Sequence, residues 1–416
     1  MEFSWIGVLQ VSDQYRNSDL TADVTLLGVS IVGASYRSTM MYKFLERYPE
    51  QGKVVGIYDK IPARSRYLID EFCLTDAIVC ESLEQAVSSP DTQAVLVSTA
   101  DSEHVGPVVA ALKAGKHVFC EKPMAITLED CDTIIEAAKC SKAVFYLGMN
   151  LRHNPVHAKL HEISSTGQLG QILTIESSEY YEGGRSYFRR WNRLRRSGGG
   201  LWIHKGCHDL DLLNWISGGK PIRAFATSGL SFYKPKPEAA THCRICAIKQ
   251  QCPDYYNLDS PESPVQDSLL AITEKETGQP RDLCLYNSDK DTFDNGIAVI
   301  DYDKDVRATH TLSVVSARDT RQMRIMGTLA SAEVDVEEGL ISVWHRYGGR
   351  KVVHDVRELM DSGHGGADDR ILLDFFRCCR TGNRPRSSWM EGRLSTQVGL
   401  AARQAADTGK PVDIGG

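Results

Sequence analysis

The chain has 416 residues, 42% of them hydrophobic and 25% charged, which is typical of a globular protein large enough for two domains. Its net charge of −6 excludes a general attraction to nucleic acid or anionic membranes, and no apolar run is long enough to span a bilayer. Residues 1–23 lack a basic n-region and predict an N-terminal extension, and the 12 cysteines then favour a reducing, cytoplasmic location.

Residues 24–149 alternate buried-strand and helix patterns, which predicts a doubly wound parallel sheet of the Rossmann type. The apolar strand Val24–Val32 leads into a glycine turn, and a helix pattern follows. This is the context of a dinucleotide-binding fingerprint, although Ser35 and Ser38 replace the second and third glycines. The residues predicted to form this part of the cofactor site are Gly33, Ser35, Tyr36 and Arg37.

Asp59 ends the second predicted strand, Lys53–Tyr58. An acidic residue there can accept hydrogen bonds from the ribose hydroxyls and repels a 2′-phosphate, which favours NAD over NADP. Lys60 and Arg64 keep NADP open as an alternative, and Asp59 could instead cap the helix that starts near Ile61.

Two later strands end at Thr99 and at Glu121-Lys122. Because the carboxyl ends of parallel strands meet at one edge of a sheet, Gly33, Asp59, Thr99 and Lys122 are expected to lie together. Lys122 precedes a proline and therefore lies in extended backbone. Taken alone, Glu121-Lys122 could equally be a surface ion pair.

Ser98-Thr99-Ala100 with His104, followed by the stretch from Ala114 to Glu121-Lys122-Pro123, resembles the Gfo/Idh/MocA oxidoreductase family. The resemblance covers nearly everything after residue 23 and implies an NAD(P)-binding domain followed by an α+β domain over 150–390. The large, mostly antiparallel sheet of that second domain would cover the nicotinamide or form a homo-oligomer, a dimer or tetramer. The final helix within 391–416 is expected to pack near the domain junction. The further cofactor-site residues that the resemblance implies are His104, Glu121, Lys122 and Arg152.

The segment from 183 to 200 holds six arginines with interleaved aromatic residues. It is either a solvated arm at a subunit contact or a substrate loop in which an arginine or Trp191 grips a sugar. Guanidinium groups pair well with carboxylates, so the second interpretation extends to an acidic sugar. We take Arg185 and Trp191 as its candidate substrate contacts.

A helix pattern over 201–217 places His204, Cys207, His208 and Asp211 on one face. In the family, an aspartate and, four residues later, a histidine act with the Glu-Lys-Pro lysine. His208 matches that histidine, whereas His204 stands where the aspartate is expected. An imidazole is a suitable base for a carbinol proton, and Lys122 could hold the substrate oxygen. The candidate catalytic residues are Lys122, His204 and His208, and the nearby candidate substrate contacts are Lys205 and Asp209.

Cys243, Cys246, Cys252 and Cys284 lie in a polar insertion over 234–290 that a subset of the family also carries. Four such cysteines predict a Zn²⁺ site, with an iron–sulfur cluster, or free thiols or a stray disulfide, as alternatives. His364, which precedes Gly365-Gly366, matches a family element that reaches the active site and is a candidate substrate contact.

These features predict an NAD-dependent oxidoreductase that moves a hydride between a sugar or polyol carbinol and nicotinamide. One alternative is a lyase or glycosidase that oxidises C3 transiently and breaks a bond by elimination. Another is a non-catalytic sensor of a sugar on the same scaffold.

Overall fold

The computed structural model describes residues 26–261, 263–360 and 363–415. The predicted extension over 1–23 and the first two residues of the predicted strand Val24–Val32 lie outside these ranges. None of the helices within them is long and apolar enough to cross a bilayer.

The first half of the chain forms a sheet of parallel strands with helices on both faces. Its strands are β1 Leu27–Val32, β2 Gly52–Tyr58, β3 Ile78–Val79, β4 Ala94–Val97, β5 His117–Cys120 and β6 Phe145–Leu147. Its helices are α1 Thr39–Arg47, α2 Pro62–Glu71, α3 Leu83–Ser88, α4 Val105–Lys113 and α5 Leu128–Lys139. The strand order is β3-β2-β1-β4-β5-β6, and every residue of β1 and β4 is buried because both faces are covered. The predicted doubly wound sheet is confirmed, and its order reverses between β1 and β4, where such sheets open a binding crevice.

The second half forms a nine-stranded sheet in the order β14-β13-β12-β11-β7-β10-β9-β8-β15. Its strands are β7 Ile172–Tyr180, β8 Pro221–Gly229, β9 Asn295–Tyr302, β10 Arg307–Ser313, β11 Thr320–Gly327, β12 Ala330–Asp335, β13 Leu340–His345, β14 Lys351–Asp355 and β15 Val412–Asp413. All neighbouring strands pair antiparallel except β7 and β10, which pair parallel. The predicted mostly antiparallel sheet is confirmed, although β8, β13, β14 and β15 were not identified from the sequence.

The helices of the second half are α6 Pro155–Ser165, α7 Gly184–Tyr187, α8 Arg195–Gly198, α9 Leu201–His204, α10 Cys207–Ser217, α11 Pro264–Thr277, α12 Gly363–Thr381 and α13 Trp389–Thr408. Of these, α6, α10 and α13 pack against the nine-stranded sheet, whereas α11 and α12 contribute to the core of the first sheet. Leu210 and Leu213 of α10 share a core with Ala224 and Ile300 of the sheet. The single helix predicted over 201–217 is divided at Lys205 and Gly206 into α9 and α10.

Two late helices join the halves. Phe376 of α12 stacks on Phe44 of α1 with ring centroids 5.6 Å apart, within the core of the first sheet. In α13, Ser395 donates to the carbonyl of Cys207 (2.8 Å) and Thr396 donates to the carbonyl of Ala125 (3.3 Å). The last helix is thus bonded both to α10 and to the segment after β5, which fixes the two halves around the space between them.

Candidate active site

The end of β5 meets the helices of the second half through Lys122. Its Nζ donates a hydrogen bond of 2.9 Å to the backbone carbonyl of His204, the last residue of α9. His208 lies in the first turn of α10, just after the break between the helices. We call Lys122, Tyr181, His204, Lys205 and His208 the Lys122 cluster.

The two histidines of the cluster differ in how they are held. His204 Nδ1 lies 2.5 Å from Asp101 Oδ2, and its Nε2 lies 3.3 Å from Asn192 Nδ2. His208 Nδ1 is buried without a hydrogen-bond partner in the described part of the chain. Burial, followed by the charges of Lys122 and Lys205, holds the pKa of His208 well below its ordinary 6.5. His208 is therefore a neutral imidazole, and only its neighbour is anchored at both nitrogens.

Lys205 and aromatic rings form the walls of the cluster. Lys205 Nζ lies 2.9 Å from Glu179 Oε1 and 3.9 Å from the centroid of the Tyr181 ring, a cation–π contact. The Trp191 ring packs edge-on against the His204 ring at 5.4 Å. Of the predicted substrate contacts, Lys205 and Trp191 are thus brought next to the predicted catalytic residues.

Beneath the cluster lies a buried set of charges, Glu179, Asp209, His310 and Arg321, which we call the Arg321 network. Arg321 donates to Asp209 Oδ1 at 2.8 Å and also to Glu179, and His310 Nδ1 lies 2.8 Å from the Ser177 hydroxyl. Burial opposes ionisation of Asp209, but Arg321 and His310 hold its pKa below the ordinary 3.8. Asp209, predicted as a substrate contact, is only 1% exposed and is committed to Arg321.

The carboxyl edge of the first sheet carries the glycine turn. Gly33 has a φ of +97°, and a Cβ there would lie 2.7 Å from the Ser98 carbonyl carbon and 2.8 Å from the Thr99 nitrogen. The backbone N–H groups of Tyr36 and Arg37 make no hydrogen bond within the described ranges. Free N–H groups before a helix N-terminus fit the pyrophosphate of a dinucleotide.

Asp59 connects this turn to the next unit. Its Oδ2 accepts a hydrogen bond of 2.8 Å from the Ala34 N–H, and its Oδ1 accepts one of 2.9 Å from the Ile61 N–H. The second bond closes a local turn before α2, whose N-cap residue Ile61 has no side-chain cap, so the capping alternative is wrong. Each carboxylate oxygen has a further lone pair, so the same side chain retains acceptor capacity for ribose hydroxyls.

Glu121 pairs with Arg37 and not with its neighbour Lys122. Its Oε1 accepts from Arg37 Nε at 2.7 Å, and Arg37 Nη2 donates to Asp368 Oδ1 at 2.9 Å. His364 Nδ1 lies 3.0 Å from the other oxygen of Asp368. This chain of ions connects β5 to α12 and brings His364 to the rim of the site, with its side chain 53% exposed.

Two other predicted cofactor residues lie behind the site. His104 Nδ1 lies 2.9 Å from the Pro123 carbonyl, and His104 is 1% exposed. Arg152 forms two parallel hydrogen bonds with Asp211, of 2.7 and 2.8 Å. Both side chains are engaged with protein groups, and this positions the segment after β5 and the helix α10.

Comparison with known proteins identifies the chain. Residues 27–149 match the model of the Gfo/Idh/MocA oxidoreductase family for the NAD-binding Rossmann fold, and residues 165–414 match its model for the C-terminal alpha/beta domain. The chain belongs to the Gfo/Idh/MocA oxidoreductase family.

Individual relatives agree with this membership. The YteT protein of Bacillus subtilis (strain 168) is 28% identical over 378 residues, which are 83% of this chain and 87% of that protein. The 2,7-anhydro-N-acetylneuraminate hydratase of Mediterraneibacter gnavus is 29% identical over 49% of this chain and 52% of its own length. A levoglucosan dehydrogenase solved with NADH and levoglucosan has the same fold, with a TM-score of 0.73 and 16% identity over 94% of this chain and 100% of that one.

The zinc prediction is not supported within this family fold. Cys243, Cys246, Cys252 and Cys284 line one cavity of about 20 Å³, but no three His, Cys, Asp or Glu side chains in the described ranges are arranged to hold a metal ion. Backbone and guanidinium groups donate to the sulfurs instead: Arg189 Nη1 lies 3.3 Å from Cys243 Sγ. All four thiols are free, which agrees with the third alternative.

Arg185 also lies apart from the Lys122 cluster. Its Nε donates at 3.1 Å to Asp254, which lines the same cysteine cavity. The sequence analysis missed Asp101, Tyr181 and Asn192, which contact the cluster. Asp101 could have been found, because it follows the end of β4 at the same sheet edge as Gly33 and Lys122. Tyr181 and Asn192 carry no comparable signal, since their roles depend on how β7 and the arginine-rich segment fold over α9.

Proposed function

We propose that this oxidoreductase moves a hydride between NAD and a carbinol carbon of a sugar or polyol. Lys122 holds the substrate oxygen, and His208 takes up its proton during oxidation and returns it during reduction. The observation that carries the proposal is the contact between Lys122 and the break between α9 and α10, with a neutral, unbonded His208 on the next turn.

The roles of the two histidines follow from their bonding. A general base needs a free lone pair, which His208 keeps because no described side chain holds either of its ring nitrogens. His204 is bonded to Asp101 and Asn192, so its contribution is to fix the backbone carbonyl that orients Lys122. The ammonium of Lys122 stabilises the negative charge that develops on the carbinol oxygen.

The cofactor assignment to NAD is supported by the family model and by the fit of the glycine turn. Tyr36 and Arg37 would hold the pyrophosphate through their backbone N–H groups, and Asp59 would hold the ribose hydroxyls. NAD, once bound, supplies the hydride acceptor. A sugar or polyol substrate is supported by the names of the hydratase relative and of the levoglucosan dehydrogenase described above.

A redox-assisted elimination is the second candidate. The relative named as a hydratase and the His204–Asp101 pair both favour it, because elimination needs a second acid/base group near the carbon that loses a substituent. The two candidates differ in stoichiometry. A dehydrogenase accumulates one NADH per substrate consumed, whereas an elimination consumes substrate without net NADH.

A panel of sugars and polyols tests both, with NADH followed by its absorbance and substrate loss followed by chromatography. Lys122→Ala is expected to lower turnover of the best substrate by about 100- to 10,000-fold while NAD binding is retained. Lys142→Ala, at an exposed lysine, is the matched control and should be unchanged. Full turnover by Lys122→Ala would exclude this assignment.

We also propose that the chain forms a homo-oligomer through the outer face of the nine-stranded sheet. Apolar side chains that project from this sheet are exposed: Leu173, Ile222, Phe225, Ile297, Val299 and Met326. Large exposed apolar patches mark interaction sites in water-soluble proteins. Light scattering on the purified chain measures the mass, and a monomer at micromolar concentration would contradict the proposal. The 12 free cysteines support a reducing, cytoplasmic location.

A further inference from the structure

Most arginine side chains of the segment from 183 to 200 form hydrogen bonds or ion pairs with other residues of the chain. Four of its six arginines are bonded to carboxylates or to backbone carbonyls, and a fifth, Arg196, is exposed. The bonded ones are Arg185 with Asp254, Arg189 with the Leu283 carbonyl, Arg193 with Asp289 and Arg195 with Asp407. The sixth, Arg190, is half-buried, and no carboxylate of the described residues lies within ion-pairing distance of its guanidinium.

Arg190 lies among tyrosine side chains. Burial lowers its pKa, and the nearby phenol groups of Tyr256, Tyr181 and Tyr187 oppose this effect. A guanidinium nevertheless stays protonated in proteins, so Arg190 remains a cation. Taking a charge out of water without a counter-ion is costly. Such a group is therefore expected to meet an anion that the chain itself does not provide.

The side chain of Tyr181 connects Arg190 to the Lys122 cluster. Both Arg190 and Lys122 act electrostatically on the Tyr181 phenol, and Lys205 Nζ lies 3.9 Å from its ring centroid. The residue after Arg190 is Trp191, whose ring packs against His204 at 5.4 Å. Arg190 thus precedes the residue whose ring packs on His204, and it acts on the same phenol as the lysine that we propose to hold the reacting oxygen.

None of the carboxylates near the cluster pairs with Arg190 in the described part of the chain. Glu179 is shared by Lys205 and Arg321, Asp101 is bonded to His204, and Asp319, which acts on the Tyr181 phenol, accepts from the Glu182 N–H. A positive charge on Arg190 is thus left for the ligand. A single guanidinium without a carboxylate partner fits a planar monoanion, which it can bind with two parallel hydrogen bonds. A dianionic phosphate is more commonly met by several donors, such as a helix N-terminus or grouped cations.

We propose that Arg190 binds the carboxylate of the substrate, and that the substrate class is therefore sugar acids such as uronates. This inference rests on the proposed function, because it assumes that the reacting carbinol lies at Lys122. Arg190 would set specificity, and Lys122 and His208 would carry out the chemistry. Within the arginine-rich segment, Arg190 would then contact the substrate, and the four bonded arginines would hold the segment in place.

The test compares matched acidic and neutral sugars on the full chain. Calorimetry on the NADH-saturated protein measures binding of D-galacturonate, D-glucuronate, D-galactose, D-glucose and D-galactose 6-phosphate, and NADH formation from NAD measures turnover. The wild type should bind at least one uronate more tightly than its neutral counterpart. Arg190→Gln should weaken uronate binding by about 10- to 100-fold and change binding of the neutral sugar less than about twofold.

Two further variants separate charge, geometry and fold. Arg190→Lys keeps the charge but loses the planar fork, so it should recover only part of the affinity. Arg196→Gln removes an exposed arginine of the same segment and should leave both affinities unchanged. Circular dichroism and the melting temperature of each variant report whether a loss reflects unfolding.

The outcomes also distinguish this inference from the proposed function. Equal loss of acid and neutral binding in Arg190→Gln, tighter binding of the sugar phosphate, or no binding of either uronate would overturn the carboxylate assignment. NADH formation from neutral sugars alone would support the dehydrogenase and reject the inference. Uronate binding that depends on Arg190 but gives no NADH would support the inference and reject the dehydrogenase.

Discussion

The Lys122 cluster and the Arg321 network meet at adjacent residues of α10 and yet are built in opposite ways. In the network, Asp209 is held by Arg321, and Glu179 is shared between Arg321 and Lys205. In the cluster, His208 is neutral and its buried Nδ1 has no partner among the residues described. Glu179 Oε2 and His310 Nε2 of the network also lack hydrogen-bond partners among the residues described, so the difference lies in charge. The carboxylates of the network are neutralised by Arg321 and Lys205 and support the site, whereas the neutral His208 has no ionic partner and is available to a ligand.

Replacing His208 is expected to have the largest effect on activity and tests its role as the proton acceptor. His208→Asn should lower kcat for the best substrate by about 100- to 10,000-fold, because it removes the proton acceptor. Its free energy of unfolding should change by less than about 1.5 kcal/mol, since no hydrogen bond is lost. Stopped-flow or steady-state kinetics and urea denaturation measure the two quantities.

His204→Asn is the informative companion to that variant. His204 is bonded to Asp101 and Asn192, so its loss should reduce both stability and activity. If His208→Asn kept wild-type kcat while His204→Asn lost it and also changed the pH profile of the remaining activity, the assignment of the base would move to the His204–Asp101 pair.

A variant that breaks the Arg321 network should lose stability and keep the activity of the folded protein, the reverse of His208→Asn. Arg321→Met leaves Glu179 and Asp209 buried with fewer counter-charges, and removing one partner of a buried ion pair costs about 3–5 kcal/mol. The expected result is a lower urea midpoint, with activity lost in proportion to the folded fraction. Arg324→Met on the same strand is the control, because its pair with Glu333 is about half exposed and should contribute less than about 1 kcal/mol.

A variant of the glycine turn tests whether the unbonded backbone N–H groups of that turn bind the cofactor. Gly33→Ala forces a side chain into a φ of +97° and against Ser98 and Thr99, so we expect a cost of about 2–4 kcal/mol from strain and crowding. Calorimetric titration with NAD should show weaker binding, with the melting temperature of the NAD-free protein also lowered. NAD affinity equal to that of the wild type would show that the turn does not approach the cofactor.

Most of the first sheet and the position of Lys122 at its edge could be predicted from the sequence, whereas the approach of Lys122 to the helix of His204 and His208 was implied only by the family resemblance. The continuous apolar runs of β1 and β4 and the proline after Lys122 are local signals, and they specify which residues end at the sheet edge. The arrangement of the Arg321 network could not be predicted, because Glu179, Asp209 and Arg321 come from β7, α10 and β11 and meet only in the folded sheet. For the same reason, the sequence did not show that Asp209 is bonded to Arg321. Its position next to His208 indicated a substrate contact instead.

The smallest predicted effect concerns His157, a buried neutral histidine that belongs to the surroundings of the network. Burial, followed by the charge of Arg321, lowers its pKa to about 3, although Asp209 and the Leu151 carbonyl oppose this. An unfolded histidine titrates near 6.5, so above that pH His157 has no effect on the pH dependence of stability. Below it the unfolded chain binds one proton more than the folded chain, and the free energy of unfolding falls by about 1.4 kcal/mol per pH unit.

Between pH 7 and pH 5, His157 should therefore account for a loss of about 2 kcal/mol. His157→Gln keeps a donor for the Leu151 carbonyl and removes the titrating group, so its urea stability should fall less steeply over this range. An identical slope in His157→Gln would mean that this position is protonated in the folded chain, and the surroundings of the network would then tolerate a second positive charge beside Arg321.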